Sequence, residues 1–171
     1  MSSTTLSTRE IIELKQVFMI RRRRLVNPMR INYANGAFYR GETNAAGLPH
    51  GWGETLYKNN TVIAGKWIDG VMSGKGVYMS TEMTYKGDWK NNAFDGKGKL
   101  IYHDEHYEGE FANNERSGHG KLSWSSGSSY IGDWKNDVPH GVGSMNTHNT
   151  YYIGHWIDGQ QREDGLVIRA K

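Results

Sequence analysis

The sequence predicts an all-β repeat protein, a single-layer antiparallel sheet of stacked β-hairpins with an amphipathic α-helix in front of it. Three observations carry this. Glycine recurs at Gly41, Gly65, Gly87, Gly109, Gly132 and Gly154, in steps of 24, 22, 22, 23 and 22 residues. Bulky residues flank these anchors on alternate positions, which is strand periodicity. The apolar inventory consists of rings and glycine (6 Trp, 10 Tyr, 4 Phe and 22 Gly in 171 residues) where Leu, Ile and Val usually dominate, which argues against bundle or Rossmann packing.

Composition excludes several classes. At 36% hydrophobic and 23% charged, with no apolar run of about 18 residues, the chain reads as one soluble domain without a membrane span. The absence of cysteine removes a disulfide framework, a thiolate zinc site and a cysteine nucleophile, and suits a reducing, intracellular compartment. A net charge of +3 is too mild for the dense basic face that nucleic acid requires. The opening MSSTTLSTREIIEL lacks the basic and apolar regions of a signal peptide.

Residues 1–30 form the first unit. In "TREIIELKQVFMIRRRRLV", residues 8–26, Ser7 and Glu10 have capping-box spacing and Pro28 sets a stop. Ile11, Ile12, Leu14, Phe18, Met19, Leu25 and Val26 fall within one broad arc of a helical wheel, describing an amphipathic helix of roughly 17 residues and about 26 Å. Such a face needs a surface: its own sheet, the groove of a partner, or a membrane. Arg21, Arg22, Arg23 and Arg24 follow, and four arginines near an anionic bilayer contribute roughly 4 kcal/mol, weak unless the apolar face inserts as well. The plainer reading of the run is a solvated or acid-paired helix end.

Residues 31–165 are the repeats. "INYANGAF" resembles the closing half of a preceding unit. Two before each anchor stand Tyr39, Ile63, Tyr85, Tyr107, Tyr130 and Tyr152; two after stand Thr43, Trp67, Trp89, Phe111, Trp134 and Trp156. A glycine pair follows nine residues on, at Gly74/Gly76, Gly96/Gly98, Gly118/Gly120 and Gly141/Gly143. Gly51/Gly53 needs ten, the mark of one inserted residue near Asn44–Gly47. Tetrads such as KNNA, ANNE and KNDV between the two arms are material for tight hairpin turns. One face of each arm is apolar, and the other is wet.

The pairing of largest with smallest has a physical reason. Each glycine leaves a flat gap on the apolar face across which a ring lies. A buried Trp or Tyr removes about 150–250 Å² from water, roughly 4–6 kcal/mol gross at about 25 cal/mol/Å². Two rings per unit offset much of the ordering cost of a hairpin only when neighbours stack, because a lone hairpin is marginal. On the wet face, Glu42, Asp88, Glu110 and Asp133 lie in hairpins that also carry Lys75, Lys97, Lys99 and Lys121, so cross-strand charge pairing is the plain expectation. After Trp156 the glycine pair is lost, and residues 166–171 read as a capping strand and tail behind Gly165.

Signs of chemistry are thin. His103 and His106 with Asp104 and Glu105 sit in a loop, where polar residues are expected anyway. The serines of 124–129 have no base nearby in sequence, and GKGKL lacks phosphate-loop spacing. No catalytic residue, metal site or cofactor is expected.

The pattern Y-x-G-x-W, then a gap, then H-G-x-G, as in "YIGDWKNDVPHGVG" and "YRGETNAAGLPHGWG", resembles the MORN repeat (membrane occupation and recognition nexus) over about residues 31–165. Thr43 and Ile63 depart from it, and only His50 and His140 keep the histidine. The resemblance implies a twisted sheet of hairpins with an aromatic groove. The function expected is a non-catalytic scaffold or structural adaptor that grips an extended or helical protein segment and docks into a larger assembly: cytoskeletal, axonemal or viral. Its gripping residues would be Trp67, Tyr85, Trp89, Tyr107, Phe111, Tyr130, Trp134, Tyr152 and Trp156. The alternative is a peripheral adaptor on acidic membranes, held by the helix and Arg21–Arg24. Open sheet ends leave room for a homodimer.

Overall fold

The structure, a computed structural model, describes residues 28–169. The expected helix and Arg21, Arg22, Arg23 and Arg24 lie outside the described residues. Within them the chain is all-β, with strands β1 (Met29–Asn32), β2 (Phe38–Thr43), β3 (Pro49–Leu56), β4 (Val62–Ile68), β5 (Val71–Met79), β6 (Met83–Lys90), β7 (Ala93–Tyr102), β8 (Glu105–Ala112), β9 (Glu115–Trp124), β10 (Ser129–Lys135), β11 (Val138–Asn146), β12 (Thr150–Ile157), β13 (Gln160–Gln161) and β14 (Leu166–Arg169). They form one antiparallel sheet in which each strand up to β13 lies beside its neighbours in sequence, while β14 pairs with β12. The hairpins expected from the repeat are β2–β3, β4–β5, β6–β7, β8–β9 and β10–β11, and β1 is the half-unit ahead of them.

The turns follow from residue type. Asn91 and Asn92 have φ of 51° and 66°, Asn113 and Asn114 of 49° and 72°, Asn136 and Asp137 of 51° and 66°. Two successive left-handed residues make the type I′ turn whose twist suits a hairpin, and Asn and Asp tolerate that region best after glycine. The inserted residue sits in the first hairpin, where Asn44 N–H donates to Leu48 O and Gly47 N–H to Asn44 O, both at 3.0 Å.

From the β4–β5 turn on, the turns are also fastened to the unit before them. Asn92 N–H donates to Met72 O while Asn92 Oδ1 accepts Met72 N–H at 2.8 Å; Asn114 does the same with Phe94, and Asp137 with Arg116. Where the preceding residue is Pro49 or Pro139, with no N–H to give, the turn residue is Gly70 or Gly159, with no side chain to receive it, and a single bond to the proline carbonyl remains. Donor and acceptor are thus matched along the sheet. Asn114→Ala is expected to cost about 2 kcal/mol, roughly half from the orphaned Phe94 N–H and half from alanine at φ 72°, whereas Asn114→Gly costs about half as much. Urea unfolding of the two variants checks this.

The core is a track across the sheet. Gly41, Gly53, Gly65, Gly76, Gly87, Gly98, Gly109, Gly120, Gly132, Gly143 and Gly154 stand opposite one another in unbroken register. Tyr39, Tyr85, Tyr107, Tyr130 and Tyr152 lie over this track, buried to 0–2% exposure, and each hydroxyl donates to a backbone carbonyl three residues on at 2.7–3.0 Å. Gly165 sits beside Gly154 under Tyr152, so the last unit keeps half of the glycine pair that the sequence reading counted as lost.

Candidate interaction surface

The nine rings expected to grip a partner, Trp67, Tyr85, Trp89, Tyr107, Phe111, Tyr130, Trp134, Tyr152 and Trp156, are all buried at 0–6% exposure. They pack on one another. Tyr85, Tyr107 and Tyr130 each meet the ring of their own unit and that of the next edge-on: Tyr107 lies 5.1 Å from Phe111 and 5.2 Å from Trp134, and Tyr130 5.1 Å from Trp134 and 5.0 Å from Trp156. Trp67, Trp134 and Trp156 donate their indole N–H to the carbonyls of Gly53, Gly120 and Gly143 at 3.1–3.2 Å. Their broad faces therefore belong to the core, and the apolar surface left open stands beside them.

Beside them runs a strip. Tyr78, Leu100, Trp124 and Met145 are half-buried and pack against the ring stack, on strands β5, β7, β9 and β11. Tyr78, Leu100 and Met145 stand two residues after the second glycine of the pair; in β9 the matching residue, Leu122, is buried, and Trp124 stands two residues further on. Arg116, which the sequence reading passed over, covers part of the stack: its guanidinium lies 4.6 Å from the Trp134 ring centre and bonds Asp137 Oδ1 at 3.1 Å and Glu105 Oε2 at 3.3 Å. Its signal was positional, since it occupies the same place in its unit as Met72 and Phe94.

On the opposite face the acids do more than pair with lysine. Glu42 accepts Trp52 N–H at 3.0 Å, Asp88 accepts Lys97 N–H at 3.1 Å and Asp133 accepts Val142 N–H at 3.2 Å. Each carboxylate thus holds the residue between the two glycines of the pair, where the first glycine is left-handed (Gly51 at φ 69°, Gly96 at 105°, Gly141 at 73°) and the ladder shifts register. Glu110 lies over Gly118 in the same place. Among the lysines named above, Lys75 bonds Asp88 at 2.6 Å, while Lys99 bonds Glu108.

The ring stack has one interruption. Ile63 stands where other units carry tyrosine, and Met72 extends its methyl towards Gly65 and Gly76 in place of a ring. A cleft of about 580 Å³ opens there, lined among others by Tyr33, Thr55, Ile63, Trp67, Met72 and Trp89. Among the described residues no group of three His, Asp or Glu is placed to hold a metal ion.

Burial shifts the tyrosines. The phenols of Tyr39, Tyr85 and Tyr107 are held well above the ordinary value, and Tyr130 is pushed up to about 12, first by desolvation and then by the Asp133 carboxylate. In the unfolded chain these groups ionise near 10. The folded state therefore binds protons that the unfolded state releases, and stability falls as pH rises from about 10 through 12. Tyrosinate absorbance near 295 nm should show these four phenols silent until the strand signal in circular dichroism collapses; early titration would contradict their placement.

A family model described as MORN repeat matches residues 64–81, 85–106, 107–129 and 130–146. Over 47 residues, 28% of this chain, the sequence is 40% identical to "Inactive protein tyrosine kinase pTKL" of Plasmodium berghei (strain Anka), and the matched stretch spans 4% of that protein's length. A solved structure, "SAS-4 (dCPAP) TCP domain in complex with a Proline Rich Motif of Ana2 (dSTIL) of Drosophila Melanogaster", aligns over 75% of this chain and 72% of that one, with a TM-score of 0.46 and 14% identity.

Proposed function

The chain belongs to the MORN-repeat proteins, with four repeats in residues 64–146, and from that premise we propose that it is a non-catalytic interaction scaffold, an adaptor that docks into a larger intracellular assembly such as a cytoskeletal, axonemal or viral one. The observation that carries this reading is the half-buried apolar strip of Tyr78, Leu100, Trp124 and Met145. It is backed by rings packed edge-on against one another, and no second layer covers it among the described residues. Preorganised apolar side chains in a row suit an extended or helical protein segment, because the partner alone bears the ordering cost.

The test uses Leu100→Asp with Met145→Asp. These side chains are half-exposed, so the variant is expected to keep its strand signal while its retention of the proteins captured from the native source by the unchanged chain falls at least tenfold. An identical set of captured proteins would overturn the strip as the docking surface. The peripheral-membrane alternative rests on Arg21–Arg24. Sedimentation with phosphatidylserine vesicles separates the two readings: pelleting that disappears without residues 1–27 favours the membrane, and equal, negligible pelleting removes it.

A further inference from the structure

The cleft at Ile63 is a place where the repeat is incomplete in two ways. Its space is unfilled, and polar atoms in its walls lack partners. Trp89 Nε1 makes no hydrogen bond, although Trp67, Trp134 and Trp156 all donate from the same position to a glycine carbonyl; Thr55 Oγ1, opposite Ile63 in the ladder, also has none. Trp89 is 6% exposed and Thr55 3%, so water does not serve them freely. A buried donor without an acceptor costs about 1–3 kcal/mol, so two of them in the walls of one cleft call for a partner. Met72, unbranched and flexible, is the side chain that stands in the gap.

The glycine row beneath the Met72 methyl is also the row by which the chain enters the sheet. Met29 pairs with Gly41, Gly41 with Gly53 and Gly53 with Gly65, so residue 29 lies three strands away, about 14 Å at ~4.8 Å per strand. Twenty-eight residues precede Met29, and those of 8–26 carry an apolar arc that nothing in their own sequence covers. Glu10 and Gln16 border that arc on a helical wheel and supply acceptors.

We propose that the apolar side of residues 8–26 seats in the Ile63 cleft, displacing the Met72 methyl and completing the ring stack between Trp67 and Trp89 with its own Leu14 and Phe18. The sheet thereby carries its own ligand at the second repeat. The strip on β7, β9 and β11 remains open to a partner, so this inference stands or falls separately from the function proposed above.

The absence of native cysteine makes the test clean. Ile63→Cys is introduced into the full chain, alone and together with Leu14→Asp and Phe18→Asp, and the rate of alkylation by iodoacetamide is measured in each. The expected result is labelling about tenfold faster when the two aspartates are present, with the strand signal unchanged. Equal rates overturn the proposal. As a second readout, Phe18→Cys with Ile63→Cys, treated with a short bifunctional maleimide, is expected to link within one chain, whereas Phe18→Cys with Lys99→Cys is not. Equal linking of both pairs, or a product only at dimer mass, overturns it too, the latter in favour of a second copy as the occupant.

Discussion

Tyr85→Ala is expected to destabilise the protein by about 4 kcal/mol, among the largest effects available to a single substitution here. The ring is 0% exposed and is the most crowded in the stack: it lies flat on Phe94 at 3.7 Å and edge-on to Phe111 at 5.1 Å and Trp89 at 5.7 Å. Its removal loses the transfer energy of a whole ring and opens a cavity that four strands, tied by backbone bonds, cannot close. The hydroxyl bond to Asp88 O, 2.7 Å, goes with it. Tyr102→Ala, at a side chain 42% exposed, should change stability by less than about 0.5 kcal/mol. Urea denaturation followed by circular dichroism compares the two, and similar midpoints would mean that the stack does not hold the sheet.

Gly98→Ala is expected to cost about 3 kcal/mol for the complementary reason. A methyl there would sit 2.5–2.7 Å from Cε2, Oη and Cζ of Tyr85, far inside contact distance, and the ring has no free direction in which to retreat. The decisive measurement is the double variant. With Tyr85 already alanine, the extra methyl enters vacated space, so Gly98→Ala should cost nothing or stabilise slightly, giving a coupling energy of about 3 kcal/mol. Additivity within about 0.5 kcal/mol would show that glycine is retained at this place for its backbone alone.

Much of this was legible in the sequence because the repeat fixes which side chains share a face. The anchors, the glycine pairs, the hairpins and the half-unit at β1 follow from spacing of two and twenty-two. The role of the rings was harder to read. Alternation tells which side Trp134 points to, but whether that side is open depends on Tyr130 of its own strand and on Tyr107 of β8, two strands away, both folding over the glycine track, and one unit does not contain the second of these. The acids were legible as a column, and Asp88 does pair with Lys75 across the strands, but their hold on the backbone N–H of the bulge was not, since the left-handed φ of Gly96 that makes room for Asp88 is a property of the folded bulge. Gly165 escaped because Glu163 occupies the place of its partner glycine. The departure at Ile63 was visible, whereas the cleft it leaves depends on how Met72 responds.

The matched fastening of turns to the preceding strand bears on how such a chain changes length. Excising one repeat, residues 73–94, would put Met72 in the place of Phe94 and seat Asn114 on it, and Met72 offers the same N–H, so central repeats are interchangeable. The proline seats differ: Gly159 placed on Arg116 would strand an amide, and Asp137 placed on Pro139 would find none to accept. Growth and shortening are thereby confined to the middle of the array, while both extremities keep the junctions made for them.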